Sequence, residues 1–374
     1  MKLLSVISTR PELIKMAPII KETLKRKIDH VFITTGQHYD YQLFQGFVHT
    51  LGLPAPNEDL EVGSGSQAFQ TSISLLKLEE VIKRHNPDAV MAEGDTNSVL
   101  SAALAAQKLL IPFVHIEAGL RSFDRTMPEE VNRVLSDHCS ELLAAPSAAS
   151  KKNLLLERIP EEKIAITGNP IVDVFFEHIK KADSSEVVQN IKFKDFCLLT
   201  LHRKENVDDV EKLKIMISIL GKIKYNIVFP IHPRTKTIAI QNNLLAKLTA
   251  LKNVQIIEPQ QYFDFLKLEK ESKCILTDSG GITEEALMLG KPCLVLRNNT
   301  ERPEVLSNIC HLTGINEQRI LSSIEKVMTE KPPKYENQIG SPGVSKRTLD
   351  FISAAYDAGN LKIKPSNFFE KPYY

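Results

Sequence analysis

The sequence predicts an α/β protein built from two doubly wound, Rossmann-like domains with an interdomain cleft. Three observations carry that prediction. Short apolar runs alternate with longer helix-period segments along the chain. The alternation breaks once, across the polar stretch 180–195, and then resumes. Nearly every unusual polar cluster follows directly on a strand-like run, which is where open α/β sheets bind ligands. A chain of 374 residues accommodates two domains of ordinary size.

In the first half, the runs 3–7, 31–34, 89–92, 113–116 and 142–145 have the length and continuous apolar character of strands buried on both faces. Helical patterns at 12–27, 68–84, 98–108, 129–139 and 148–158 separate them, so the strands are expected to be parallel, joined by helical crossovers. Pro18 is expected to kink or start the first helix. A further run at 164–167 meets Gly168-Asn169-Pro170, and the polar 180–195 segment reads as a domain junction. The second series has strands at 196–201, 227–231, 254–257, 274–277 and 293–296 and helices at 210–222, 238–248, 262–271 and 283–289. After Pro332-Pro333 and Ser341-Pro342-Gly343, a final helix at 345–357 is free to pack on either half.

Composition narrows the function classes. Lys and Arg total 47 against 46 Asp and Glu, a net charge of +1, which argues against a surface built to bind nucleic acid. No stretch reaches the ~20 apolar residues that span a bilayer, and the first apolar run is too short for a secretory signal, so a cytoplasmic protein without a membrane partner is expected. Five cysteines without CxxC spacing read as buried free thiols, and ten histidines without a close ligand pair predict no metal site.

The polar clusters at strand ends are the candidate site. In the first half they are Ser8-Thr9-Arg10-Pro11-Glu12, Gly36-Gln37-His38, Glu93-Gly94-Asp95-Thr96 and Glu117-Ala118-Gly119-Leu120-Arg121. The second half repeats the placement with His202-Arg203, His232-Pro233-Arg234, Asp278-Ser279-Gly280-Gly281 and Arg297. Paired glycines entering a helix let a phosphate approach backbone N–H groups at its positive end; an isolated Ser-Gly-Gly reads first as a turn requiring positive φ, and the context of the following residues shifts the balance to the phosphate. Arg10 and Lys15 suit a diphosphate as cations, and Glu285 lies one helical turn beyond the glycines, within reach of ribose hydroxyls. Asp95, Glu117, Glu129 and Glu130 are carboxylates at loop or helix starts, suited to proton transfer once crowded or desolvated. Each also has an ordinary explanation: Asp95 as a helix cap, Glu117 as a partner of Arg121 or Arg133, and Glu129 and Glu130 as compensation of a helix dipole after Pro128. His202 and His232 likewise read either as ligand contacts or as core histidines. Gly63-Ser64-Gly65-Ser66-Gln67-Ala68 matches a dinucleotide fingerprint in form only, because residues 56–61 are polar and loop-like; Ser66 is expected to cap the next helix.

Taken together, these blocks, with His115-Ile116 ahead of Glu117, Ser122 after Arg121, Pro128-Glu129-Glu130-Val131-Asn132-Arg133, His202-Arg203-Lys204-Glu205-Asn206 and Thr300-Glu301-Arg302-Pro303-Glu304, resemble the non-hydrolysing UDP-N-acetylglucosamine 2-epimerase family over essentially the full chain. The resemblance implies a GT-B-like architecture. Residues 1–168 would carry the catalytic carboxylates, rejoined by a C-terminal helix in about 345–374, and residues 169–344 would bind UDP. It implies interconversion of UDP-GlcNAc and UDP-ManNAc through elimination of UDP to a 2-acetamidoglucal, then readdition, by a homodimer that needs no cofactor. By motif, Asp95, Glu117 and Glu129 become the acid/base and charge-stabilising candidates, and His202 a diphosphate or catalytic contact. Arg10, Lys15, His232, Ser279, Gly280, Gly281 and Glu285 form the substrate-binding set. Ser8 stands where the family usually has Gly, and Glu93 where a neutral side chain or histidine is usual; Glu93 is expected to act on Asp95 if it points inward. The stretch 37–45 lacks the pattern associated with an allosteric site, and Gly63-Ser64-Gly65-Ser66 is similar both to the archaeal branch and to the branch acting on UDP-2,3-diacetamido-2,3-dideoxyglucuronate. That substrate, a hydrolysing epimerase, a GT-B glycosyltransferase and a nucleotide-sugar sensor are the competing readings.

Overall fold

The structure, a computed structural model, describes residues 1–36, 46, 48–302, 305–330 and 340–363. The features noted at 37–45, at Pro303 and Glu304 and at Pro332-Pro333 lie outside the described residues. The chain divides into two compact units, the first formed by Met1–Val174 with the residues from Ser341 on, the second by Phe175–Gly340.

The first unit holds seven strands: β1 (Lys2–Ile7), β2 (Asp29–Thr34), β3 (Glu58–Asp59), β4 (Ala89–Glu93), β5 (Phe113–Ile116), β6 (Leu142–Ala145) and β7 (Ile164–Ile166). They form one parallel sheet in the order β3-β2-β1-β4-β5-β6-β7. Leu4 of β1 sits in register with Val31 on one side and Val90 on the other, and these residues with Ile33, Ala92 and Phe113 form the core under the helices. Helices Arg10–Lys25, Gln67–His85, Asn97–Lys108, Pro128–His138 and Ala148–Leu156 fill the crossovers. Their starts follow from short polar side chains: Thr9, Ser66 and Ser147 each accept a backbone N–H of the first turn. Helix Arg10–Lys25 begins with Pro11 in its first turn and continues through Pro18, which therefore does not start it.

The second unit repeats the design with β8 (Cys197–Thr200), β9 (Ile227–Pro230), β10 (Val254–Ile257), β11 (Cys274–Thr277), β12 (Cys293–Val295) and β13 (Cys310–Leu312), parallel and ordered β10-β9-β8-β11-β12-β13. Counted within each unit, both sheets run 3-2-1-4-5-6, with a seventh strand added in the first. The strand order thus reverses direction between β1 and β4, and again between β8 and β11. Those are the points at which such sheets open for a ligand.

Several elements depart from the sequence reading. Residues 56–61 contain the two-residue edge strand β3, which is too short and polar to show a period. The helix expected at 238–248 is two, Pro233–Gln241 and Leu245–Thr249, separated at Asn243, which adopts φ 57°. Strand β13 and helices Ile171–Ala182 and Glu317–Thr329 had no counterpart in the reading. The helix expected to begin at Thr283 starts at Gly280, because glycine's low helix propensity conceals an N-terminus from pattern alone. The final helix, Val344–Asp357, belongs to the first unit. Asp173 fixes its start by accepting hydrogen bonds from the backbone of Gly343 (2.6 Å), Val344 (3.0 Å) and Ser345 (2.8 Å) and from the Ser345 hydroxyl (2.6 Å). Four cysteines are buried, Cys139 is partly so, and all five are free thiols. No helix among the described residues is long and apolar enough to cross a membrane.

Candidate active site

At the β1/β4 switch point the turn after β1 is closed by a buried carboxylate. Glu12 accepts the Ser8 amide at 2.6 Å and the Ser8 hydroxyl at 2.8 Å, and the same hydroxyl lies 3.0 Å from Thr96 Oγ1. Ser8 thus ties the loop after β1 to the loop after β4, a bond that a glycine at this position cannot make. Burial pushes the Glu12 carboxyl up, opposed by these donors. Arg10 opens the same helix with an exposed side chain.

Lys15 lies further along that helix, and its ammonium donates to Glu93 Oε1 at 2.8 Å and to Glu117 Oε1 at 2.7 Å. Asn169 Nδ2 donates to the same Glu117 oxygen at 3.1 Å. Glu93 is 2% exposed; burial drives its carboxyl well above the usual range, and the Lys15 charge only partly offsets this. Glu93 therefore faces Lys15 and Glu117, not Asp95 as expected. Glu117 itself is strained: its φ of 71° is rare for a non-glycine residue, and such outliers concentrate at functional sites. Two residues on, Gly119 takes φ 83°, where a Cβ would meet the Ser150 carbonyl oxygen at 2.4 Å, so the turn that presents Glu117 requires glycine there.

Asp95 does not cap the following helix; Thr96 occupies that position. Arg133 instead grips Asp95 Oδ2 through Nε (2.9 Å) and Nη2 (2.6 Å) and holds Glu130 through Nη1 (2.7 Å). Arg121 likewise bypasses Glu117 and pairs with Asp137 (2.7 Å) and Glu157 (2.6 Å). Asp137 also meets His115 Nδ1 at 2.6 Å, and His115 Nε2 reaches the Gly94 carbonyl at 2.8 Å. Burial alone would raise Asp137, but His115 and Arg121 outweigh it and hold the carboxyl low. The two first-turn acids after Pro128 divide. Glu130 is consumed by Arg133 and by the backbone of Ser122 (2.9 Å) and Phe123 (2.8 Å). Glu129 is half-buried and makes no hydrogen bond or ion pair among the described residues, so it alone keeps a carboxylate uncommitted.

At the β8/β11 switch point the organising group is Asp278, which is 0% exposed. It accepts the backbone N–H groups of His202 (3.1 Å) and Arg203 (2.9 Å) and the Asn206 amide (3.2 Å), and the His202 ring lies 3.2 Å away. Burial opposes its charge, but His202 and these donors prevail and hold Asp278 low. The His202 and His232 rings stand 5.4 Å apart, and His232 Nδ1 accepts the Arg234 N–H at 3.2 Å. His202 and His232 are therefore a loop pair at the strand ends, not core histidines.

Ser279, Gly280 and Gly281 start helix Gly280–Met288. Neither glycine has positive φ, which removes the turn explanation. A Cβ on Gly280 would meet Arg302 Nη1 at 2.8 Å, whereas one on Gly281 would meet nothing within 4 Å. No neighbour among the described residues demands glycine at 281, although glycine costs about 1 kcal/mol in a helix relative to alanine. Glu285, 5% exposed, accepts the Tyr262 hydroxyl at 2.9 Å; burial pushes its carboxyl up to about 7, with the charge of Glu284 adding. Below it, Arg302 joins Glu301 (2.5 Å) and Glu284 (2.9 Å), while Arg297 joins Glu301 (2.9 Å).

The two strand edges offer different chemistry. The first presents oriented carboxylates for moving protons. The second presents a glycine-opened helix start, two histidines and an acid of near-neutral affinity, suited to an anionic group carrying hydroxyls. Among the described residues no cluster of His, Cys, Asp or Glu is arranged to hold a metal. Asn169 and Tyr262 were not read as site residues because each acquires its partner only through the fold.

A sequence profile of the UDP-N-acetylglucosamine 2-epimerase family matches residues 21–353. A UDP-N-acetylglucosamine 2-epimerase of Methanocaldococcus jannaschii is 44% identical over 365 residues, 94% of this chain and 99% of its own. The UDP-2,3-diacetamido-2,3-dideoxy-D-glucuronate 2-epimerase of Pseudomonas aeruginosa is 36% identical over 313 residues, 82% of this chain and 86% of its own. A crystal structure of Methanocaldococcus jannaschii UDP-GlcNAc 2-epimerase in complex with UDP-GlcNAc and UDP is similar with a TM-score of 0.89 at 44% identity, covering 95% of this chain and 100% of the other. With a profile matched over most of its length and relatives at this identity, the chain belongs to the UDP-N-acetylglucosamine 2-epimerase family.

Proposed function

We propose that this protein interconverts UDP-GlcNAc and UDP-ManNAc without net hydrolysis. The observation that carries the reading is the strained, Lys15-bound Glu117 at the first switch point, placed in a chain whose family carries out this epimerisation. The C1–O bond breaks with its electron pair leaving on the β-phosphate oxygen of UDP. A carboxylate takes the C2 proton, and the C1=C2 bond of a 2-acetamidoglucal forms. Return of a proton to the opposite face of C2 and readdition of UDP complete the exchange. No oxidant is consumed, in keeping with the absence of a dinucleotide fingerprint after a buried strand.

Glu117, Asp95 and Glu129 serve as the acid/base and charge-stabilising groups. Arg10, His202, His232, Ser279, Gly280 and Gly281 stabilise the departing diphosphate, and Glu285 binds the ribose. The Lys15 contact with Glu117 supports an orienting role for this lysine beside the diphosphate role the resemblance implies. On the same reading the enzyme is a cytoplasmic homodimer, which analytical ultracentrifugation tests for its subunit count.

Proton NMR of UDP-GlcNAc with enzyme in D₂O reports the reaction directly. UDP-ManNAc carrying deuterium at C2 is expected, with free UDP staying at trace level. Stoichiometric UDP release would point to hydrolysis, and release that requires an added acceptor would point to glycosyl transfer. The Pseudomonas aeruginosa relative makes UDP-2,3-diacetamido-2,3-dideoxyglucuronate a second substrate to test. Competition between the two sugars in one reaction decides which has the higher kcat/KM.

A further inference from the structure

Two buried carboxyl groups of the second unit face each other. Glu269, on helix Tyr262–Glu271, is 0% exposed, and its carboxyl oxygens meet no N–H or O–H donor among the described residues. The group they reach is the carboxyl of Glu285, on helix Gly280–Met288. Two carboxylates in contact away from water cannot both ionise cheaply, so one retains a proton and donates it to the other. Burial and the charge of Glu285 drive Glu269 well above the usual carboxylate range, whereas Glu285 rises to about 7. Glu269, 0% exposed against 5% for Glu285, is the member that keeps the proton, and Glu285 carries the charge. Tyr262 donates to Glu285 Oε1 at 2.9 Å. The other ionisable neighbours are Glu284, paired with Arg302 at 2.9 Å, and His178 of helix Ile171–Ala182, whose ring stands edge-on to Tyr262 at 6.2 Å.

An ionised carboxylate offers about four lone-pair sites. One is filled by Tyr262 and one by the Glu269 proton, which leaves two, the number of hydroxyls on a ribose. We propose that Glu269 is a positioning residue for nucleotide-sugar binding: as a neutral acid it donates to Glu285 and, with Tyr262, fixes that carboxylate to accept both ribose hydroxyls. The inference rests on the assignment of Glu285 to the ribose made above.

The test is calorimetric titration of UDP-GlcNAc from about pH 6 to about pH 8.5, a range over which the diphosphate of this ligand stays ionised while Glu285 gains its charge. Wild-type affinity is expected to rise by about tenfold as the pH climbs through the Glu285 titration. Glu269→Gln supplies an amide donor in place of the acid and should reproduce the wild-type profile. Glu269→Met fills similar volume without a donor, so the midpoint should move up by about one pH unit, weakening binding severalfold at neutrality and restoring it in base. A ligand lacking the 2′ and 3′ hydroxyls should bind with no such pH dependence. A Glu269→Met profile superimposable on wild type, or a Glu269→Gln profile matching Glu269→Met, overturns the inference. Carboxyl ¹³C NMR of the wild-type protein tests the pair without a variant: Glu269 should stay protonated through neutrality, and titration in the ordinary carboxylate range overturns the inference. Wild-type protein that binds no UDP-GlcNAc at any pH overturns the functional reading itself, whereas binding that is indifferent to Glu269 overturns only this step.

Discussion

The two units share a strand order and differ in how they treat buried acid. At the first switch point the principal carboxylates are matched to cations: Glu93 and Glu117 to Lys15, Asp95 and Glu130 to Arg133, and Asp137 and Glu157 to Arg121. At the second, Glu284 and Glu301 are likewise matched to Arg302 and Arg297, but among the described residues Glu285 is met by Tyr262 and Glu269 by no N–H or O–H donor, and Asp278 is held by N–H groups and His202. One topology thus carries two electrostatic designs, one that sets most of its carboxyl groups beside cations and one that adds a carboxyl pair sharing a proton. The lesson is that sheet order locates a site and the side chains decide its chemistry.

The contrast is broken most severely by removing the charge that Lys15 orients. Glu117→Gln should lower turnover by at least about 10²-fold while leaving UDP-GlcNAc affinity within about threefold, because a proton-transfer group contributes 10²–10⁴-fold to rate. Deuterium incorporation at C2 measures the first and calorimetry the second. Equal losses in both would make the first strand edge a binding surface. A smaller effect tests the opposite edge. Gly281→Ala places a methyl group in open space and should hold or raise the melting temperature, yet cut UDP affinity by about tenfold, or about 1.4 kcal/mol. Unchanged affinity would remove the diphosphate from this helix start.

The smallest effect sharpens the proton-sharing side. The Glu285 carboxyl is raised in the folded state to about 7 from an ordinary 4.5, so the native protein holds this proton more tightly than the unfolded chain does. The associated stability is present in full below the unfolded value and is lost as pH rises through the folded one. Glu285→Gln never ionises and escapes that loss. Its melting temperature relative to wild type should therefore climb from about pH 5 to about pH 8, by about 2–4 °C for each ~1 kcal/mol of relief. A constant difference across that range would mean that Glu285 does not titrate differently in the folded state.

The strands were legible because parallel strands covered on both faces are written as unbroken apolar runs, as in β5 and β11. β3 and β13 were not, being two and three residues long with polar side chains among them. The placement of candidate residues that follow strands, such as Asp95, Glu117, His202 and Ser279, was also readable, because topology fixes where a strand end leads. Their partners were not. Lys15 and Glu117 are 102 residues apart in sequence, Asn169 and Glu117 are 52 apart, and no local pattern announces either meeting. Glu93 was read as a departure that would act on Asp95 if it pointed inward; its side chain instead meets Lys15 and Glu117. Helix Ile171–Ala182 went unread because Pro170 and the polar residues beyond it resembled a linker.

The Asp173 carboxylate grips the start of helix Val344–Asp357, and the whole of the second unit lies in the chain between the two. During synthesis, which proceeds at about 5–20 residues per second, the first sheet can form early, but its last covering helix arrives only after every strand of the second sheet has been made. The amino-terminal half must therefore wait with one flank unfinished, and any stall in translation within the insertion prolongs that exposure.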